Sequence, residues 1–186
     1  MYIRSCRTVR NARGSASGTG RRANGYGHGV EAELRVMPGR EDGVDSSEGV
    51  GATSLYTDPD QAAEFVAATG VTALTCSFGT VHGLSKAEPK LNYELISTLR
   101  GRAGVPIVMH GGLGLSSAEY RECINRGVRK INYYTYADKA ALEAVKQVLA
   151  DQPDTYVFAP VTVEIRRAVE NNIDELARCL YATESA

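Results

Sequence analysis

The sequence predicts an α/β protein built on a parallel sheet. Short, nearly continuous apolar runs alternate with amphipathic stretches of helical period. Successive runs lie about one βα unit apart, the spacing that a crossover helix requires. The residues able to do chemistry stand at the ends of these runs, where the βα loops of such folds gather.

The elements follow in order. Residues 1–29, "MYIRSCRTVRNARGSASGTGRRANGYGHG", are rich in Arg, Gly, Ser and Asn without sustained periodicity, and read as an irregular tail. The folded part is expected over 30–186. Strands are predicted at 30–34, 71–77, 105–109 and 128–132. "DPDQAAEFVAATG" is helical, with Asp58 as cap, Pro59 in the first turn and Gly70 as stop. "NYELISTLRGRAG" and "SSAEYRECINRG" are helices, the second capped by Ser116 or Ser117 and stopped by Gly127. "YADKAALEAVKQVLA" and residues 161–181 supply two more. Each apolar strand run is short and nearly continuous, as expected where helices cover the sheet.

Composition narrows the function. The chain has 186 residues, 43% of them hydrophobic, and a net charge of -1. That length allows one domain or somewhat more, with a substantial core. The charge balance argues against a nucleic-acid protein held by bulk charge, and the hydrophobic fraction against a disordered chain. Four cysteines are widely spaced with no CxxC pair, so they read as reduced thiols in a cytoplasmic protein. No apolar run approaches the roughly 18 residues of a membrane span. The N-terminus has no apolar core of a secretory signal.

Two stretches carry the chemistry. "CSFGTVHGLSK" places His82 after an apolar run and before Gly83, and "VPIVMHGGLG" repeats the format with His110, Gly111 and Gly112. One βα unit separates the two histidines, which would set them at the ends of adjacent strands. Glu33, or its strand neighbour Glu31, stands one unit earlier. Two histidines and a carboxylate suit a zinc ion that keeps an open position. The glycines allow close backbone approach and offer N–H groups to an anion such as phosphate. Each histidine alone has a plainer reading as a packed strand-end residue.

"VEAEL…GREDGV", "SFGTVHGLSKAEPKLNYELI", "VPIVMHGGLG" and "GVRKINYYT" together resemble the second half of a class II, zinc-dependent ketose-bisphosphate aldolase, over about residues 30–181. The resemblance implies a partial TIM (β/α)8 barrel, about its last four βα units. It implies reversible aldol cleavage of a fructose or tagatose bisphosphate to dihydroxyacetone phosphate and glyceraldehyde 3-phosphate. Glu33, His82 and His110 match zinc ligands, the metal acting as a Lewis acid on substrate oxygens. Glu41 matches the glutamate that moves the proton. Gly83, Gly111 and Gly112 match the backbone cradling phosphate and a monovalent cation, and Asn132 and Thr135 match substrate-binding positions.

The sequence also departs from that family. A complete barrel takes roughly 250 residues, and the Asp-His pair that supplies the family's general acid and third zinc histidine is absent. His28 precedes the first predicted strand, at the wrong end to reach the metal. Leu113 replaces a phosphate-binding serine, a loss worth about 1 kcal/mol or more. Arg35 stands where a glycine is usual. A half-barrel would leave open strand edges and an uncovered apolar inner face. The expectation is therefore a sugar-phosphate lyase that self-associates or pairs with a full-length relative. The alternative is an inactive half-barrel that binds zinc or phosphate weakly.

Overall fold

A computed structural model describes residues 2–6, 22–34, 56–80, 90–112 and 114–181. They form β1 (Tyr2–Cys6), β2 (Glu31–Leu34), α1 (Pro59–Thr69), β3 (Ala73–Thr75), α2 (Tyr93–Ala103), β4 (Ile107–Met109), α3 (Ser117–Arg126), β5 (Val128–Ile131), α4 (Thr135–Asp151) and α5 (Ala159–Tyr181). The chain divides into two compact units, residues 1–132 and 133–186, a boundary that the sequence reading did not place.

The first unit holds one sheet of five parallel strands in the order β1-β2-β3-β4-β5. The order never reverses, unlike that of doubly wound folds. Crossovers of the usual right hand then carry every connecting helix to the same face. Four strands stand where the sequence placed them, each trimmed at one or both ends. The fifth, β1, lies inside the segment expected to be an irregular tail, and residues 22–25 form a helical turn. Five residues are too few to show a period. The backbone hydrogen bonds of β1 come from its parallel partner β2, with Tyr2 opposite Glu31 and Ile3 opposite Ala32.

Local chemistry fixes the helices. The Asp58 carboxylate accepts from the Asp60 and Gln61 amides, and Pro59 opens α1 without a missing donor. Asn92 caps α2 through the Leu95 amide. Ser116 and Glu119 form a reciprocal capping box at α3. Each helix buries one stripe: Ala62 and Phe65 on α1, Ile96 and Leu99 on α2, Tyr120 and Cys123 on α3. Ala32, Leu34, Leu74, Ile107 and Met109 supply the facing layer of the sheet, all buried. A fully buried Phe or Leu contributes about 2 kcal/mol, so this layer dominates the stability of the unit.

The other face of the sheet differs from expectation. Strand alternation gives it Glu31, Glu33 and Thr75, followed by His110, Lys130 and Asn132, with Ala73 and the buried Val108 among them, so it is largely polar. An irregularity in β5 makes this possible. Ile107 pairs with Val128, but Val108 pairs with Lys130, leaving Arg129 without a partner position. This bulge resets the strand phase. Val128 stays buried in the core while Lys130 and Asn132 turn to the face carrying Thr75 and His110.

The second unit is a pair of helices. The Tyr133 hydroxyl donates to the Asn172 amide oxygen at 3.0 Å, and the Tyr133 and Tyr136 rings lie 6.2 Å apart. Val148 on α4 and Val161 on α5 are buried, while Leu142, Leu149, Val163 and Ile173 are exposed.

Candidate active site

His110 follows β4 directly and is 5% exposed. Its Nε2 lies 3.3 Å from Glu31 Oε1, 3.3 Å from Thr75 Oγ1 and 2.6 Å from the Asn132 side-chain amide. Three strands therefore converge on one ring nitrogen. Asn132 is held in place by its own amide N–H, which donates to the Met109 carbonyl at 2.9 Å.

Glu31 links this cluster to the bulged strand. Thr75 Oγ1 donates to its Oε1 at 3.1 Å, and Lys130 Nζ donates to its Oε2 at 2.5 Å. Burial opposes ionisation of this carboxyl. Hydrogen bonds from His110, Lys130 and Thr75, with the charge of Lys130, outweigh burial and hold the pKa down at about 2. Glu31 is an anion at neutral pH, set in a half-buried, fully bonded site.

Glu33 is buried on the same face, its Cα opposite Thr75. Its charge adds to burial in pushing the Cys76 thiol far up. Gly111 has φ 64, the left-handed region that favours glycine. Gly112 has a packing reason of its own. A Cβ there would meet Met109 Cε at 2.8 Å, and Tyr120 donates its hydroxyl to the Gly112 carbonyl at 2.5 Å. This contact also shows Met109 pointing toward α3, opposite to His110.

The rim above β3 is tied down by backbone. Thr57 and Ser77 exchange two hydrogen bonds of 2.8 Å, and the Asn92 amide donates to the Phe78 carbonyl at 2.9 Å. Gly79 has φ 116, and a Cβ there would lie 2.1 Å from the Lys90 carbonyl oxygen. Only glycine fits that crossing, which precedes the His82 segment.

Of the residues predicted for the site, the structure brings His110 and Asn132 into contact and sets Glu33 on their face. Gly111 and Gly112 form the turn after His110. Thr135 opens α4 in the second unit. His82, Gly83, Glu41, Leu113 and Arg35 lie outside the described residues. His28 precedes β2 and is exposed. Sequence reasoning missed Thr75 and Lys130, and weighed Glu31 only as the less favoured partner of Glu33. Lys130 sits in the "KIN" stretch beside Asn132, which was the one available signal. Among the described residues, no group of three or more His, Cys, Asp or Glu side chains forms a metal site.

The fold and site define a βα protein in which Thr75, His110 and Asn132 stand at the carboxyl ends of parallel strands. The family model described as "Fructose-bisphosphate aldolase class-II" matches residues 11–184, and the chain belongs to that family. It is 38% identical over 134 residues to a fructose-bisphosphate aldolase of Geobacillus stearothermophilus, covering 72% of this chain and 45% of that one. It is 38% identical over 151 residues to a probable fructose-bisphosphate aldolase of Bacillus subtilis, covering 81% and 51%. Among solved structures, the YdjI aldolase of Escherichia coli K12 matches with a TM-score of 0.78 at 30% identity, over all of this chain and 62% of that one. A putative fructose-1,6-bisphosphate aldolase from Coccidioides immitis matches with a TM-score of 0.74 at 26% identity, over 95% and 59%. The chain spans about half the length of the curated relatives it matches.

Proposed function

We propose that this chain carries the zinc- and phosphate-handling half of an aldolase site. The reaction is reversible cleavage of a ketose 1,6-bisphosphate to dihydroxyacetone phosphate and an aldehyde, glyceraldehyde 3-phosphate. The observation that carries the reading is His110, held at its Nε2 by a carboxylate, a threonine and an asparagine at the end of a parallel strand. A histidine that presents one nitrogen to a metal almost always gives the other to such a partner, so the residues present fit zinc. His110, Glu33 and His82 would hold it, and the family likeness adds a monovalent cation. Bound zinc supplies Lewis-acid polarisation of the substrate carbonyl and hydroxyl.

The chain's own residues do the rest. Gly111, Gly112 and Gly83 offer backbone N–H groups to the substrate phosphate. Asn132 orients a substrate oxygen, and the family motif alone assigns Thr135 a substrate-binding role. Glu41 moves the proton. The partial (β/α)8 barrel is supported by the unreversed strand order and by the aldolase structures it matches.

A second reading is favoured by one specific observation: this sequence contains no Asp-His pair. In it the chain binds zinc or phosphate but turns nothing over alone, and works with another aldolase chain. Among the described residues no helix is long and apolar enough to cross a membrane. The unpaired thiols of Cys76, Cys123 and Cys179 support a reducing, cytoplasmic setting.

The test is zinc-dependent cleavage of fructose 1,6-bisphosphate by the purified chain, with a chelator control and the His110→Ala variant. Chelator-sensitive activity lost in the variant supports the first reading, with the site completed across subunits. A folded, zinc-binding but inactive chain supports the second.

A further inference from the structure

The three groups around His110 Nε2 do not play equal parts. The Glu31 carboxylate can only accept a hydrogen bond. Thr75 Oγ1 gives its proton to Glu31 Oε1 at 3.1 Å, so it turns a lone pair toward the ring. Both therefore require a proton on Nε2. The structure sets the Asn132 side-chain nitrogen, Nδ2, 2.6 Å from the ring; a half-turn of the amide exchanges its nitrogen and oxygen at that point, and with Nε2 protonated the oxygen faces the N–H. The opposite arrangement has Asn132 donating to a bare Nε2. It would leave a carboxylate oxygen and a ring lone pair facing each other at 3.3 Å.

We propose that Glu31, clamped by Lys130, is a positioning residue that holds His110 as the Nε2–H tautomer and makes Nδ1 the electron-pair donor of the ring. The device spans the sheet. Glu31 comes from β2, Thr75 from β3, His110 from β4, and Lys130 from the bulged β5. Lys130 meets Glu31 Oε2 at 2.5 Å, which leaves Oε1 for the ring and Thr75. The β5 bulge is what turns Lys130 to this face. The inference rests on the functional reading only in taking His110 as a donor to a metal.

The experiment is long-range proton–nitrogen correlation NMR on the metal-free full chain labelled at histidine nitrogen. It is run well above the ordinary histidine pKa of about 6.5. His28→Asn and His82→Asn variants assign the signals. The expected result is a pyrrole-like Nε2 and a pyridine-like Nδ1 for His110. Glu31→Ala should shift His110 toward a mixture, and Glu31→Gln, whose amide oxygen still accepts, should restore the wild-type pattern. A wild-type His110 protonated on Nδ1 overturns the proposal even if no variant folds, and so does an unchanged tautomer in folded Glu31→Ala. Because no metal is present, the outcome is separable from the functional reading. A chain with the expected tautomer that fails to bind zinc loses the function and keeps the device. A zinc-binding chain with the opposite tautomer does the reverse.

Discussion

At the scale of single residues, the site depends on groups whose neighbours come from other strands. His110 and Asn132 were legible because each stands at the end of a predicted strand and sits in a matched stretch. Thr75 and Lys130 were not, since their role depends on register. Thr75 reads as an ordinary strand residue until β2 and β4 are placed on either side of it. Lys130 reads as a surface charge until the bulge turns it to the face that carries Glu31 and His110. The cysteines give a residue-scale prediction. Burial pushes the Cys76 thiol far up. Burial, with Glu119 and Glu122, pushes that of Cys123 up to about 12. Both should resist alkylation in the native chain and react once it is denatured, as read by peptide mapping after iodoacetamide. Rapid labelling of either in native protein would contradict the packed core described here.

At the scale of elements, period and caps made the helices readable. Asp58, Asn92 and Ser116 cap as their residue types require. β1 was not readable, because a five-residue strand is defined by its partner rather than by its own pattern. The α3 capping box yields a stability prediction. Ser116→Ala should cost about 1 kcal/mol in denaturant unfolding. Hydrogen bonds from the Ser116 backbone and then its hydroxyl hold the Glu119 carboxyl below its ordinary value. A depressed carboxyl contributes stability fully above the unfolded value of about 4.3 and loses it as pH falls through the folded one. Glu119→Gln should flatten this part of the acid limb, and a pH profile identical to wild type would remove Glu119 from it. Gly79→Ala should cost about 2 kcal/mol or more, since its φ of 116 and the Lys90 carbonyl both exclude a side chain. A variant as stable as wild type would mean that the rim is built differently.

For the whole molecule, the α/β class and the parallel sheet were readable in the alternation of runs, and the family in the matched motifs. The polar character of the second sheet face was not. It arises from Glu31, Glu33 and Thr75 alternating with core residues, and from the β5 bulge. The second unit leaves Leu142 and Leu149 exposed on α4, with Val163 and Ile173 exposed on α5. We propose that these exposed apolar residues take part in self-association. Analytical ultracentrifugation should find the chain associating as concentration rises. A Leu142→Glu, Leu149→Glu double variant should associate less while keeping its helical circular dichroism. A wild-type chain that stays monomeric at high concentration would contradict the association.

The central claim is that the His110 corner is a zinc site shared with His82. Its most direct test is competitive zinc titration of the folded chain and of His110→Ala, His82→Ala and His28→Ala. The account predicts one tight zinc equivalent, lost in the first two variants and kept in the third. Binding unchanged by either His82→Ala or His110→Ala would contradict it.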